Sequence, residues 1–180
     1  MSSYGELVDS STVRFERLLP GPIERVWRYV TESDKRATWL AGGDMELEVD
    51  GMVELHFHNS SLSTQPDIEP PEKYRNMPEH VSFSGEVTRC EPPRILSHTW
   101  ELDSERSEVC YELEEQGDKV RLVLTHRRLQ STEKVISFCS GWHTHLDILN
   151  DVLHGREPSP FWKAYTTLEA KYERRSQSSR

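Results

Sequence analysis

Nothing in the sequence approaches the roughly 18–20 consecutive apolar residues of a membrane span, and Met1–Ser11 has neither the basic head nor the apolar stretch of a signal peptide. Cysteine is scarce. Cys90, Cys110 and Cys139 are odd in number and widely spaced, with no CxxC, so they read as reduced thiols of a cytoplasmic protein and not as a disulfide framework or zinc site. Positive charge is in deficit: 22 Lys and Arg face 31 Asp and Glu, and the net charge of −9 argues against a nucleic-acid binder, which needs a basic face. GxSxG, GxGxxG and P-loop motifs are missing, which removes the nucleophile elbow, the dinucleotide fold and the phosphate cradle. Hydrophobic residues make up only 34%, so the core is economical, yet five Trp, six Tyr and five Phe are incompatible with disorder.

What is present fits a chain of 180 residues with one domain over 13–175, a flexible arm over 1–12 and a flexible tail over 176–180. Val13, Phe15, Arg17 and Leu19 fall on one side of a first strand. Pro22 then suits the first turn of a helix carrying Ile23, Val26, Trp27 and Val30, and Gly42-Gly43 stops the helical region. Six strands are expected next. Met45, Leu47 and Val49 alternate before an Asp50-Gly51 turn, and Val53, Leu55 and Phe57 alternate after it. Asn59–Pro78 is polar, carries four prolines, and reads as a long loop or lid. Further alternation marks Val81–Val87, Leu96–Leu102, Val109–Leu113 and Val120–His126. The period then lengthens: Val135, Phe138, Cys139, Trp142, Leu146, Leu149 and Leu153 form one helical stripe, capped by Ser131 or Thr132 and ended by Gly155. Phe161, Trp162, Tyr165, Leu168 and Tyr172 predict a last helix, whose first three rings could cover either their own domain or a homodimer seam.

This order predicts an α+β helix-grip fold: a curved antiparallel sheet wrapped around the long C-terminal helix. A curved sheet and a straight helix do not mate everywhere, so a hollow between them is expected. Phe57, Phe83, Trp100, Tyr111, Leu122, Trp142, Leu146 and Leu149 are its candidate walls, and His98, His126 and His145 its candidate polar contacts. No metal or cofactor is expected. The three histidines come from separate elements, and His143 lies two residues from His145, pointing elsewhere on a helix. His56 and His58 share the strand face opposite Leu55 and Phe57 and are expected in water. Gly141 is read as allowing close approach of helix to sheet, Asp147 as a solvated or salt-bridged carboxylate, and Cys139 as an inert buried thiol.

The opening VRFERLLPGPIERVWRYVTESDKRATWLAGG, LSHTWE at Leu96–Glu101, LTHRRL at Leu124–Leu129, GWHTHLDIL at Gly141–Leu149 and PFWKAYTTLEAKYERR at Pro160–Arg175 together resemble the SRPBCC (START-like) superfamily, in the branch named for the activator of the heat-shock-protein-90 ATPase. The resemblance implies a helix-grip fold with a hydrophobic cavity under the C-terminal helix, and a small hydrophobic ligand such as a lipid, polyketide or flavonoid-like molecule. A binding or carrier protein is therefore the expected function, with turnover not expected. Two alternatives stand: an enzyme of cyclase, aromatase or hydrolase type that uses a cavity histidine, and a chaperone-linked interaction module. The co-chaperone relatives carry an additional N-terminal domain, for which a twelve-residue arm is no substitute.

Overall fold

The computed structural model describes residues 3–102 and 104–178. Among these, seven strands form one antiparallel sheet: β1 (Glu6–Asp9), β2 (Thr12–Pro20), β3 (Met52–Phe57), β4 (Val81–Glu91), β5 (Ile95–Leu102), β6 (Glu105–Gln116) and β7 (Lys119–Arg127). Their spatial order is β1-β2-β7-β6-β5-β4-β3. Helices α1 (Ile23–Thr31) and α2 (Ser33–Arg36) fill the connection from β2 to β3, and α3 (Thr132–Leu153) and α4 (Phe161–Ser178) follow the last strand. The sheet curves around α3, which is the helix-grip arrangement.

Local chemistry accounts for the elements. The strands β3 to β7 form an antiparallel meander because turns join successive strands, with one long excursion between β3 and β4. In β2, Val13, Phe15, Arg17 and Leu19 are buried while their neighbours are more exposed, as the period of two requires. Ile23, Val26, Trp27 and Val30 bury one face of α1, which packs on β6 and β7. Arg36, 1% exposed, donates from its guanidinium to the carbonyls of Val30 and Thr31, orphan acceptors at the end of α1, and to those of Ala41 and Gly43 in the connection that follows. Ser131 caps α3 by accepting from the Lys134 amide, and Gly155, at φ +68°, follows its end.

Three expectations change. No strand forms over Met45–Val49, so five strands and not six follow the first helices. Only the isolated bridges Gly42↔His56 and Met45↔Val53 remain, Gly43 at φ +105° breaks the ladder between them, and Leu47 and Val49 face solvent. The arm expected over 1–12 contains β1, whose four side chains are all exposed and whose adjacent Leu7 and Val8 show no alternation. Backbone pairing to β2 holds it, together with the Gly5 amide donating to the Tyr172 hydroxyl (2.8 Å). The tail expected over 176–180 continues α4 through Ser178, and residues 1–2 and 179–180 of the arm and tail lie outside the described residues.

Candidate functional site

The sheet is covered unequally. Over β2, β7 and β6 the space is filled by Phe15, Leu122, Leu124 and Tyr111 against Leu146, Leu149 and Leu153 of α3, all at most 3% exposed. Over β3, β4 and β5 there is a cavity of about 620 Å³. Its floor is aromatic: Phe57 stacks on Phe83 with ring centres 5.3 Å apart, and Phe83 lies 4.8 Å from Trp100. Phe138, Gly141, Trp142 and His145 of α3 form a second wall, and Phe161, Trp162 and Tyr165 of α4 a third. The outer wall is the 59–79 segment, through Ile68, Pro70, Tyr74 and Met77.

That segment is fastened at several points. The Asp67 carboxylate accepts from the amides of Trp162 (2.8 Å) and Lys163 (3.0 Å), so a residue from a distant loop caps α4. Glu157 accepts from the Thr64 amide (2.7 Å) and from the hydroxyls of Ser63 and Thr64. Tyr74 donates to the buried Glu169 carboxylate, which Lys73 also reaches at 2.8 Å. With the Tyr74 proton committed, Tyr165 donates to Tyr74 (3.0 Å) and Ser137 to Tyr165 (3.3 Å), giving a chain of hydroxyls from α3 across α4 to the loop. Burial, followed by the bond to Glu169, pushes the Tyr74 phenol up to about 12.

Of the eleven candidate residues, Phe57, Phe83, Trp100, Trp142 and His145 line this cavity. The other six sit in the packed region. Tyr111 and Leu122 lie on β6 and β7, beyond the cavity floor, and Leu146 and Leu149 face the filled side of α3. His98 donates from Nδ1 to the Thr99 carbonyl (2.8 Å). His126 is held from both sides: Trp142 Nε1 donates to its Nδ1 (2.9 Å), so Nε2 carries the proton and donates to Ser107 Oγ (2.7 Å), which donates to the Trp100 carbonyl (3.1 Å). No lone pair or proton of its ring is left for a ligand.

His145 differs. Its Nδ1–H donates to the Trp39 carbonyl (2.7 Å), which leaves Nε2 as an acceptor on a ring that lines the cavity beside Phe161 (ring centres 5.2 Å apart). Burial holds His98 and His145 down at about 4 and His126 at about 3, so all three are neutral near pH 7. His143 points away from the cavity, as expected. Tyr172 OH lies 3.0 Å from its Nδ1, and Asp147 bridges its Nε2 (3.5 Å) and Arg17 (3.3 Å). Cys139 is buried and its thiol is pushed up to about 12, as an inert group requires.

Gly141 is a correction. A Cβ built there meets no atom within 4 Å, so the glycine opens the cavity and does not bring α3 closer to the sheet. Phe161, Trp162 and Tyr165 pack within their own chain: Phe161 stacks on Tyr165 (5.6 Å) and Trp162 meets Tyr74 (5.5 Å). Ile68, Tyr74, Met77, Phe138, Gly141 and the three α4 rings are among the lining residues that sequence reasoning did not place. The available signal was the length of the Asn59–Pro78 excursion, since long loops in compact domains are commonly functional.

The fold and the roofed hollow define the helix-grip class. The chain belongs to the family described as Activator of Hsp90 ATPase homolog 1-like protein, whose profile matches residues 20–154, within the SRPBCC superfamily. A Bordetella parapertussis protein solved by NMR is 41% identical, with a TM-score of 0.79 over 97% of this chain and 91% of that one. CalU16 from Micromonospora echinospora shares the fold at 24% identity and a TM-score of 0.66, over 90% and 86% of the two chains. DynU16, a protein in the dynemicin biosynthetic locus, is 18% identical with a TM-score of 0.65, over 85% of this chain and 51% of that one. No curated protein matches the chain. Among the described residues, no helix is long and apolar enough to cross a membrane.

Proposed function

We propose that this protein binds and carries a small apolar or aromatic molecule, of lipid, polyketide or flavonoid-like character, in the cavity between α3, α4, the 59–79 segment and strands β3 to β5. The observation that carries this reading is the aromatic-lined volume of about 620 Å³, within the roughly 300–1,000 Å³ of small-molecule sites. Burial of apolar ligand surface drives binding, at about 25 cal/mol per Å² before ordering costs. His145 Nε2 accepts a hydrogen bond from a hydroxyl or N–H of the ligand, which fixes its orientation. Binding without turnover is favoured over acid–base catalysis, because His145 is the one candidate histidine on the cavity wall and a ring held near 4 is a weak base at neutral pH. A hollow, and not a flat exposed apolar patch, also favours a ligand over a chaperone surface. The three free cysteines suit the cytoplasm.

Native mass spectrometry of the freshly purified chain, followed by extraction, tests the reading directly: a co-purifying apolar molecule is expected. Gly141→Phe places a ring in the open space. It is expected to lose that molecule, and an added apolar fluorescent probe, while melting as the parent does. Unchanged probe binding by the folded Gly141→Phe protein would overturn the assignment of the site.

A further inference from the structure

The antiparallel pairing of β3 with β4 ends on the rung Phe57↔Val81. Residues 58 and 80 directly follow and precede that last rung, so the 59–79 segment leaves and re-enters the sheet at one point. Histidines stand at both positions. Their rings lie 4.1 Å apart, centre to centre, and Glu79 adds a carboxylate whose Oε1 is 3.1 Å from His58 Nε2. One ligand atom from each of His58, Glu79 and His80 falls within 4.8 Å of the others. Donors on a tetrahedral zinc lie about 3.3 Å apart, given bond lengths of about 2.0–2.1 Å, so the longest of these separations closes by rotation of partly or fully exposed side chains. Ser60 Oγ donates to Glu79 at 2.9 Å, the kind of outer contact that orients a ligating carboxylate.

We propose that His58, Glu79 and His80 form a binding site for a divalent transition metal, zinc in particular. Two imidazole nitrogens and one carboxylate oxygen suit zinc, whereas calcium and magnesium require more oxygens than the cluster offers. Three protein ligands leave a fourth position for water or an incoming oxygen donor. The site lies on the rim of the cavity, since Glu79 belongs to both, and Ser60, which donates to Glu79, also lines the cavity. It departs from the sequence expectation of no metal, which placed His58 in water beside His56 and had no means of seeing His80 return beside it. The proposal does not depend on what the cavity holds.

The test is calorimetric titration of chelator-stripped full-length protein with zinc chloride, and with calcium chloride as a comparison. One zinc per chain is expected, with no saturable calcium binding. His58→Ala and His80→Ala should each weaken zinc by more than about tenfold, with unchanged melting because both positions lie at the surface. His56→Ala, two residues from His58 on the rung paired with Ser82, should bind zinc as the parent does. Absence of saturable zinc binding would overturn the proposal. So would binding that survives in both His58→Ala and His80→Ala, or binding lost in His56→Ala and kept in His80→Ala, which would place the metal at His56, whose Nε2 lies 3.5 Å from the Glu54 carboxylate.

Discussion

Helix α3 presents two ridges to the rest of the molecule, and they do opposite things. Val135, Cys139, Trp142, Leu146, Leu149 and Leu153 make one ridge, which presses into the filled half of the sheet. Lys134, Ser137, Phe138, Gly141 and His145 make the ridge beside it, and it borders the hollow. Trp142 belongs to both: its ring lines the cavity while its N–H bonds to buried His126. The first ridge is apolar because dense packing against strands stabilises the fold. The second is mixed in size and polarity because its partners stand back across a space. The fold thus keeps its close packing and its cavity on neighbouring faces of one helix, and substitutions on the two should separate.

Acid gives the largest effect and sets aside the distinction between the halves. Burial holds His98, His126 and His145 at about 4, 3 and 4, below the 6.5 of free histidine, so the unfolded chain takes up protons first as pH falls. Stability from these groups is full above about pH 6.5 and declines from there towards pH 4. At pH 5 each costs about 2 kcal/mol, or about 6 kcal/mol together, which denaturant titrations at pH 7 and pH 5 would register. Equal midpoints at the two values would show that these rings are protonated or hydrated in the native state.

Leu146→Ala on the packed ridge should cost about 2–5 kcal/mol of unfolding free energy. Phe138→Ala on the cavity ridge should cost less than about half of that, since Phe138 already faces space, and should instead weaken probe binding. Similar losses in urea titrations would erase the contrast between the ridges. Asp67→Ala removes the cap that the loop places on α4 and should cost about 1 kcal/mol, with weaker retention of an apolar probe. Retention unchanged would mean that the loop does not close the cavity. Smallest is Gly141→Ala, which should raise stability by about 0.5–1 kcal/mol because the added methyl meets nothing and the helix interior prefers alanine. A loss in thermal melting would place Gly141 in the packed core.

The same contrast explains what could be read from residues alone. The stripe from Val135 to Leu153 is periodic and apolar, so both the helix and its packed face are legible. The cavity ridge carries a lysine, a serine, a glycine and a histidine, which no hydrophobic pattern marks. Phe57, Phe83 and Trp100 were legible as wall residues because they are large rings on one alternating face. Tyr111, Leu122 and His126 share that alternation, yet lie under the filled half, and alternation cannot say which half of a sheet is covered closely. Met45–Val49 shows the reverse failure, an apolar alternation with no partner ladder to hold it.

The order of elements, the inward rows of β2 and β4 to β7, the capped long helix and the family were set by the sequence itself, because each depends on residues near one another in the chain. Where the hollow lies was decided in three dimensions. A void is defined by atoms that fail to meet, and those of α3, α4, the 59–79 segment and β3 to β5 converge only on folding. The meeting of His58 with His80 follows the same rule: a strand register, and not a spacing in the chain, brings two imidazoles to one place.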